Sequence, residues 1–397
     1  MDSTFFYRNP NRTESPAGKL AGMTVAVQSG IGVAGWPMDP GSDALAGFKA
    51  PENAAVVERL QQNGAFLAGL SRSSEFGLGL DAESAAGRAI EQKDARAEIM
   101  LDLAGEARLA ACRSGIWGFK PTWGLVPKVG IAGLIPSMEA CGILAGAPED
   151  IRLILSAVAG PDDRDFSQPA FFYADAATAD IQPDRITLGV VEEAKASLPG
   201  DEQKAFDEEL AQLQKAGFKV KMLSWPDYGL CGLVHRIVGS VEASSSAGRY
   251  DSVRYGKRAP GAKNWNDMYL QSRGAFFKTL LKSYLIQGAY FQFERYDAYE
   301  NACRIRARLC KEFSRLFEQV DALVFPVQKP DAPETLEGLY DQFKSTAHAN
   351  VTGCPALTAA PFAADGPALQ FVGALKDDAR ILALGIFLSR TATGGKS

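Results

Sequence analysis

An α/β fold is the class this sequence predicts, and three observations predict it. A β-rich run, Met23-Thr24-Val25-Ala26-Val27, is followed by a helical stretch from Asn53 to Gln62 and a second apolar run, Ala65-Phe66-Leu67-Ala68. That strand–loop–helix–strand rhythm returns further along the chain. The composition is that of a globular protein: 397 residues, 46% hydrophobic and 22% charged. No repeat, heptad or low-complexity tract divides it. The expectation is a polar, Pro-containing arm over residues 1–19 and a single domain over 20–397.

The elements follow in order. Val56, Val57 and Leu60 recur at helical spacing, with Pro51 and Glu52 marking the start and Gly64 the stop. From Glu83 to Leu103, charged residues alternate with alanines while Ile90, Ala97 and Leu101 keep a helical interval. This predicts an amphipathic, partly exposed helix. Ile151 to Val158 and Asp201 to Lys215 read as helices, and Phe276 to Arg315 as mostly helical. Ile186 to Val191, Asp321 to Pro326 and Ala368 to Leu375 read as strands.

Several functions are excluded early. Lys+Arg number 42 and Asp+Glu 47, a net charge of −5, which argues against a surface that grips nucleic acid by phosphate neutralisation alone. Only His235 and His348 are available, so a His-rich metal site is ruled out and no metal or cofactor is expected. The six cysteines form no C-x-x-C pair and read as free thiols in a reducing compartment. The N-terminus lacks a basic then apolar leader, and the longest apolar stretch, Ile381–Leu388, is far short of the roughly 20 residues of a membrane span. A cytoplasmic protein without membrane association is expected.

Ordered motifs then narrow the class. They are Leu20-Ala21-Gly22-Met23-Thr24-Val25-Ala26-Val27, Ser74-Glu75-Phe76-Gly77, Gly118-Phe119-Lys120-Pro121-Thr122-Trp123-Gly124, Ser137-Met138-Glu139 and Asn350-Val351-Thr352-Gly353-Cys354-Pro355-Ala356. Together they resemble the amidase signature family over most of the chain. The strap Arg249-Tyr250-Asp251-Ser252-Val253-Arg254-Tyr255 and Tyr296-Asp297-Ala298-Tyr299 are similar to the A subunits of glutamyl-tRNA(Gln) amidotransferases. The resemblance implies a large mixed β-sheet with helices on both faces. It also implies an amide-hydrolysing triad in which a neutral lysine deprotonates a bridging serine and that serine activates a nucleophilic one. Glycine-rich backbone supplies the oxyanion donors.

The matching positions here carry other residues. Gln28 stands where the lysine should end the first strand, and an amide is no general base. Ser84 is the one hydroxyl left in the segment Asp81 to Gly87 that matches the Gly/Ser-rich loop. Glu106 takes the nucleophile's place in Ala104-Gly105-Glu106-Ala107-Arg108. Ser283-Tyr284 replaces an arginine pair, and Phe343 an aspartate, both of which the resemblance assigns to substrate binding. Gln28, Ser84 and Glu106 are therefore the positions of interest, with Gly105, Arg108, Tyr284 and Phe343 as candidates for lining a pocket. Glu106 reads either as an acid/base in a rebuilt pocket or as a solvated residue of a charged helix. Cys112 and Ser114 lack a recognisable base, and Lys120 belongs to a structural motif. His235 and His348 read as structural.

The expected function on this reading is a non-catalytic homologue of the A-type amidotransferase chain in a binding or scaffolding role. Two alternatives stand beside it: an enzyme with a rebuilt site acting on a small amide or carboxylate, and a glutamine-hydrolysing amidotransferase subunit. Expected partners are protein chains, either amidotransferase-like subunits or a second copy.

Overall fold

A computed structural model describes residues 3–11, 17–169, 181–359 and 367–394. Its strands are β1 (Phe5–Arg8), β2 (Thr24–Gln28), β3 (Phe66–Ser71), β4 (Ala97–Asp102), β5 (Trp117–Lys120), β6 (Ala140–Ala145), β7 (Thr187–Val191), β8 (Lys219–Leu223), β9 (Ala322–Val327), β10 (Ala356–Ala359) and β11 (Ala368–Val372). All join one sheet in the order β1-β3-β2-β4-β6-β5-β10-β11-β9-β7-β8. β2 runs parallel to β3 and β4, and β7 parallel to β8 and β9, while β4–β6, β5–β6, β5–β10, β10–β11 and β9–β11 are antiparallel. The sheet is mixed, as the resemblance implies.

Side chains alternate across the pleat, so each central strand feeds two cores. In β9, Leu323 and Phe325 enter one core while Ala322 and Val324 enter the other. The second core is closed by helices Ala55–Gln62, Pro148–Val158, Gly200–Lys215 and Asp378–Gly394, and the first by helices Glu106–Ser114, Leu230–Ser246, Thr279–Phe293, Tyr296–Leu316 and Leu336–Phe343. Most expected elements are found within a few residues of their predicted ends. The long helical tract breaks at Arg295, whose φ of −132° and ψ of 51° leave the helical region between helices Thr279–Phe293 and Tyr296–Leu316.

One element is corrected. Glu83 to Leu103 is not an amphipathic helix: it holds a single turn, Arg88–Glu91, and then β4, buried along its whole length. The two carboxylates of β4, Glu98 and Asp102, are internal, whereas Glu83, Glu91, Lys93 and Arg96 stay exposed. Glu98 accepts hydrogen bonds from Ser71 Oγ (2.5 Å) and Gly87 N–H (2.8 Å), which is how a central strand tolerates a carboxylate. The N-terminal arm also contributes structure, because Phe5–Arg8 pairs antiparallel with β3 as the sheet's edge. Residues 1, 2 and 12–16 of that arm lie outside the described residues.

Candidate active site

β2 and β4 are neighbours and run the same way, so Gln28 and Asp102 end at one edge of the sheet. The chain leaves β4 through Leu103 and Ala104, turns at Gly105 (φ +139°) and enters helix Glu106–Ser114. Gly105 is required twice over. Its φ is forbidding for side chains, and a Cβ there would overlap Thr346 Oγ1. The turn aims three successive N–H groups inward at the start of the helix.

Those N–H groups converge on Glu106. Its Oε2 accepts from Leu103 N (2.7 Å), Ala104 N (2.8 Å) and Gly105 N (3.1 Å), and its Oε1 accepts from Gly79 N (3.1 Å). The side chain is fully buried, so the solvated reading of Glu106 is corrected: the loop folds over it instead of fraying into solvent. Burial, reinforced by nearby Asp102, pushes its carboxyl up to about 7 against the pull of the N–H donors. This is an anion-binding nest at a helix N-terminus, occupied by the chain's own carboxylate.

Beneath it lies a buried polar network. Arg108 donates to Asp102 Oδ1 (3.1 Å), Gln370 Oε1 (2.6 Å), the Thr346 carbonyl (2.8 Å) and Asn350 Oδ1. Asn350 Nδ2 returns a hydrogen bond to Asp102 Oδ1 (2.8 Å). The guanidinium is thus spent on protein acceptors, which fix the turn that carries Glu106. Sequence reading did not single out Asp102, Thr346 or Gln370. An aspartate ending an apolar run just before Gly105 was the one available signal.

The other positions are distributed around this centre. Gln28 is buried, and its Oε1 accepts from Leu101 N (2.9 Å), which ties β2 to β4 beside Asp102. Ser84 is buried with a hydroxyl that has no partner among the described residues, and its carbonyl is held by Arg113 in the last turn of the helix that Glu106 begins. Tyr284 is fully buried, with its hydroxyl likewise unpartnered, and burial holds its pKa well above the usual phenol value. Phe343 is buried in the same core, 6.5 Å between ring centroids from His235. His235 Nε2 lies 2.9 Å from the Leu103 carbonyl, and burial lowers its pKa to about 4. His348 packs 4.0 Å from the Phe325 ring. Lys120 Nζ donates to the Pro121 carbonyl (2.8 Å), and burial lowers its pKa to about 8. Cys112 rises to about 11 through burial, so it is no thiolate at neutral pH.

Two clefts open nearby. One of 560 Å3 is lined by Ser29, Ser42, Arg72, Ser73, Glu83 and Lys278, and one of 1080 Å3 by Cys112, Val327, Lys329, Asp331, Gln342 and Ser345, among others. Neither is lined by Glu106, Gly105, Arg108, Tyr284 or Phe343. Gln342 explains the closure: its Oε1 accepts from Leu80 N (2.9 Å) and its Nε2 donates to the Leu80 and Asp331 carbonyls (3.2 and 2.6 Å). That latch holds the Gly79–Leu80 segment over the nest. Among the described residues no cluster of His, Cys, Asp and Glu is gathered to hold a metal, and no helix is long and apolar enough to cross a membrane.

The amidase family model matches residues 7–90 and 101–382. A chain from Natronomonas pharaonis, named as the A subunit of glutamyl-tRNA(Gln) amidotransferase, is 32% identical, over 94% of this chain and 96% of its own. Chains of the same name from Thermus thermophilus (31%, 92% and 84%) and Symbiobacterium thermophilum (29%, 93% and 82%) are also similar. Among solved structures, the glutamyl-tRNA(Gln) amidotransferase A subunit of Thermotoga maritima superposes with a TM-score of 0.77 at 21% identity, covering 96% of this chain and 85% of that one. The peptide amidase of Stenotrophomonas maltophilia gives a TM-score of 0.74 at 23% identity, covering 94% and 83%. These relatives correct the expectation of a non-catalytic scaffold. Chains alike over most of their length bear the name of an amidotransferase component. The amidotransferase alternative fits them better. With its mixed sheet, its ordered motifs and a family match spanning nearly its full length, the chain belongs to the amidase family.

Proposed function

We propose that this protein is an A-type amidotransferase component: it hydrolyses a carboxamide to a carboxylate and ammonia in company with partner subunits. The observation that carries the reading is the 32% identity to a chain of that name across nearly the whole of both. The chemistry must differ in its proton acceptor, because the Gln28 amide takes up no proton at any accessible pH. In this proposal Glu106, which stands at the nucleophile's position, takes that role. With a pKa of about 7 it is suited to general-base work near neutral pH. Its carboxylate removes a proton from water as that water attacks the carboxamide carbon. The tetrahedral species then expels ammonia, which leaves with the proton that Glu106 returns.

On this reading the Gln342-latched arrangement serves as a closed resting state. Substrate reaches Glu106 only when the Gln342 latch releases Leu80 and the Gly79 N–H leaves the carboxylate, and binding of a partner protein is the natural trigger of that opening. Ammonia release from glutamine, asparagine and simple carboxamides, measured with and without candidate partner proteins, tests the reading. Partner-stimulated release that rises with pH through about 7 and is abolished in Glu106→Gln is expected. Absence of release above background in the assembled complex overturns it.

A further inference from the structure

The strap after helix Leu230–Ser246 and helix Trp265–Phe276 carry a charge balance opposite to that of the chain. Residues 249–273 hold six cations, Arg249, Arg254, Lys257, Arg258, Lys263 and Arg273, against two carboxylates, Asp251 and Asp267, in a protein of net charge −5. Both carboxylates are occupied locally: Asp251 accepts from the backbone of Val253 and Arg254, and Asp267 from Lys263 N and Gln271 Nε2. Among the described residues none of the six cations forms an ion pair. Elsewhere on the surface Arg8, Arg96, Arg164, Arg308 and Arg380 each meet a carboxylate. Arg249, Arg258 and Arg273 donate instead to the carbonyls of Ser246, Ser252 and Ala247, which satisfies their geometry without a carboxylate in contact.

The same surface exposes apolar and aromatic side chains. The strap is pinned along the helix by Ser252 Oγ to Ser272 Oγ (3.0 Å) and Ala259 N to Ser272 Oγ (3.1 Å). Only Met268 and Ser272 of the helix are buried. On the helix Trp265 is 63% exposed and Leu270 69%, and on the strap Val253 is 43% and Tyr255 39% exposed. Arg273 lies 5.0 Å from the Tyr269 ring.

We infer that this strap-and-helix surface docks an acidic segment of a separate partner protein, with Trp265 and Leu270 as its apolar anchors. A cationic excess on the same strap and helix that expose Trp, Tyr and Leu has the makings of a protein interface, in which aromatic and arginine side chains dominate the binding energy. The charge selects an acidic partner. A polynucleotide fits less well, because Val253 and Leu270 offer it nothing and the remainder of the chain is acidic. The inference rests on the amidotransferase reading only in supposing a separate partner chain.

The test is fluorescence anisotropy of the full chain with three labelled probes. These are an amphipathic helical peptide bearing glutamates on one face and leucines on the other, the same peptide with lysines for glutamates, and a single-stranded oligouridine. The acidic peptide is expected to bind, the basic one not, with binding weakened by salt. Arg254→Glu with Lys263→Glu, and separately Trp265→Ala with Leu270→Ser, should each weaken it by about tenfold or more while leaving denaturation curves unchanged. Failure of the acidic peptide to bind, tighter binding of oligouridine, or indifference to the Trp265 and Leu270 substitutions would each overturn the proposal. Ammonia release is measured separately in the assembled complex, so peptide binding together with absence of that release leaves this surface standing and removes the catalytic reading.

Discussion

Replacing Glu106 by glutamine keeps the shape of a buried side chain and removes its charge. The folded carboxyl titrates near 7 against an ordinary value of 4.5, so between those values the native state holds a proton that the unfolded chain releases. Stability therefore falls as pH rises through this window, and the loss is complete above about 7. A shift of this size corresponds to about 3 kcal/mol. In Glu106→Gln that pH dependence disappears. The variant has a cost of its own, because three N–H donors still find the amide oxygen but Gly79 N–H now faces an NH2 group. One unsatisfied buried donor costs about 1–3 kcal/mol at every pH. Urea denaturation from about pH 5 to about pH 8 should thus show the variant less stable on the acid side, and the two curves converging or crossing near neutrality. Glu75, which burial also raises to about 7, is common to both proteins and cancels in the comparison. Parallel curves would mean that Glu106 does not titrate in this window, and the general-base reading would lose its physical basis.

Two further substitutions test the surroundings of the nest. Arg108→Leu leaves Asp102 as a buried charge without its counter-ion and should cost about 3–5 kcal/mol in chemical denaturation, with part recovered when Asp102→Asn is added. A cost below about 1 kcal/mol would show that the network does not hold the Gly105 turn. Gln28→Lys removes the acceptor for Leu101 N and should destabilise the protein by about 1–3 kcal/mol. It should add no ammonia release, since Glu106 and the closed segment remain, and a gain in release would refute the general-base role of Glu106.

Much of the fold was legible in the sequence because burial writes a period into it. The alternation of β9 and the helical spacing of Val56, Val57 and Leu60 are direct records of which faces are covered. The segment Glu83 to Leu103 misled for a physical reason. Charges on an alternating pattern look the same whether they are solvated or, as with Glu98 and Asp102, neutralised by donors from distant residues. Net charge hid the cationic surface of residues 249–273 in a similar way, since an average over the chain says nothing about where the charges lie.

The sequence by itself determined the family, the layered α/β class and the residues standing at Gln28, Ser84 and Glu106, because these depend on residue identity and order alone. Whether Glu106 meets water, a cavity or backbone was decided only by tertiary structure. Its four donors come from Gly79 and from the turn Leu103–Gly105, that turn is held by Arg108, Asn350 and Thr346, and the cover is latched by Gln342. The partners come from segments far apart in the chain, and only the folded sheet brings them within hydrogen-bonding distance of one another.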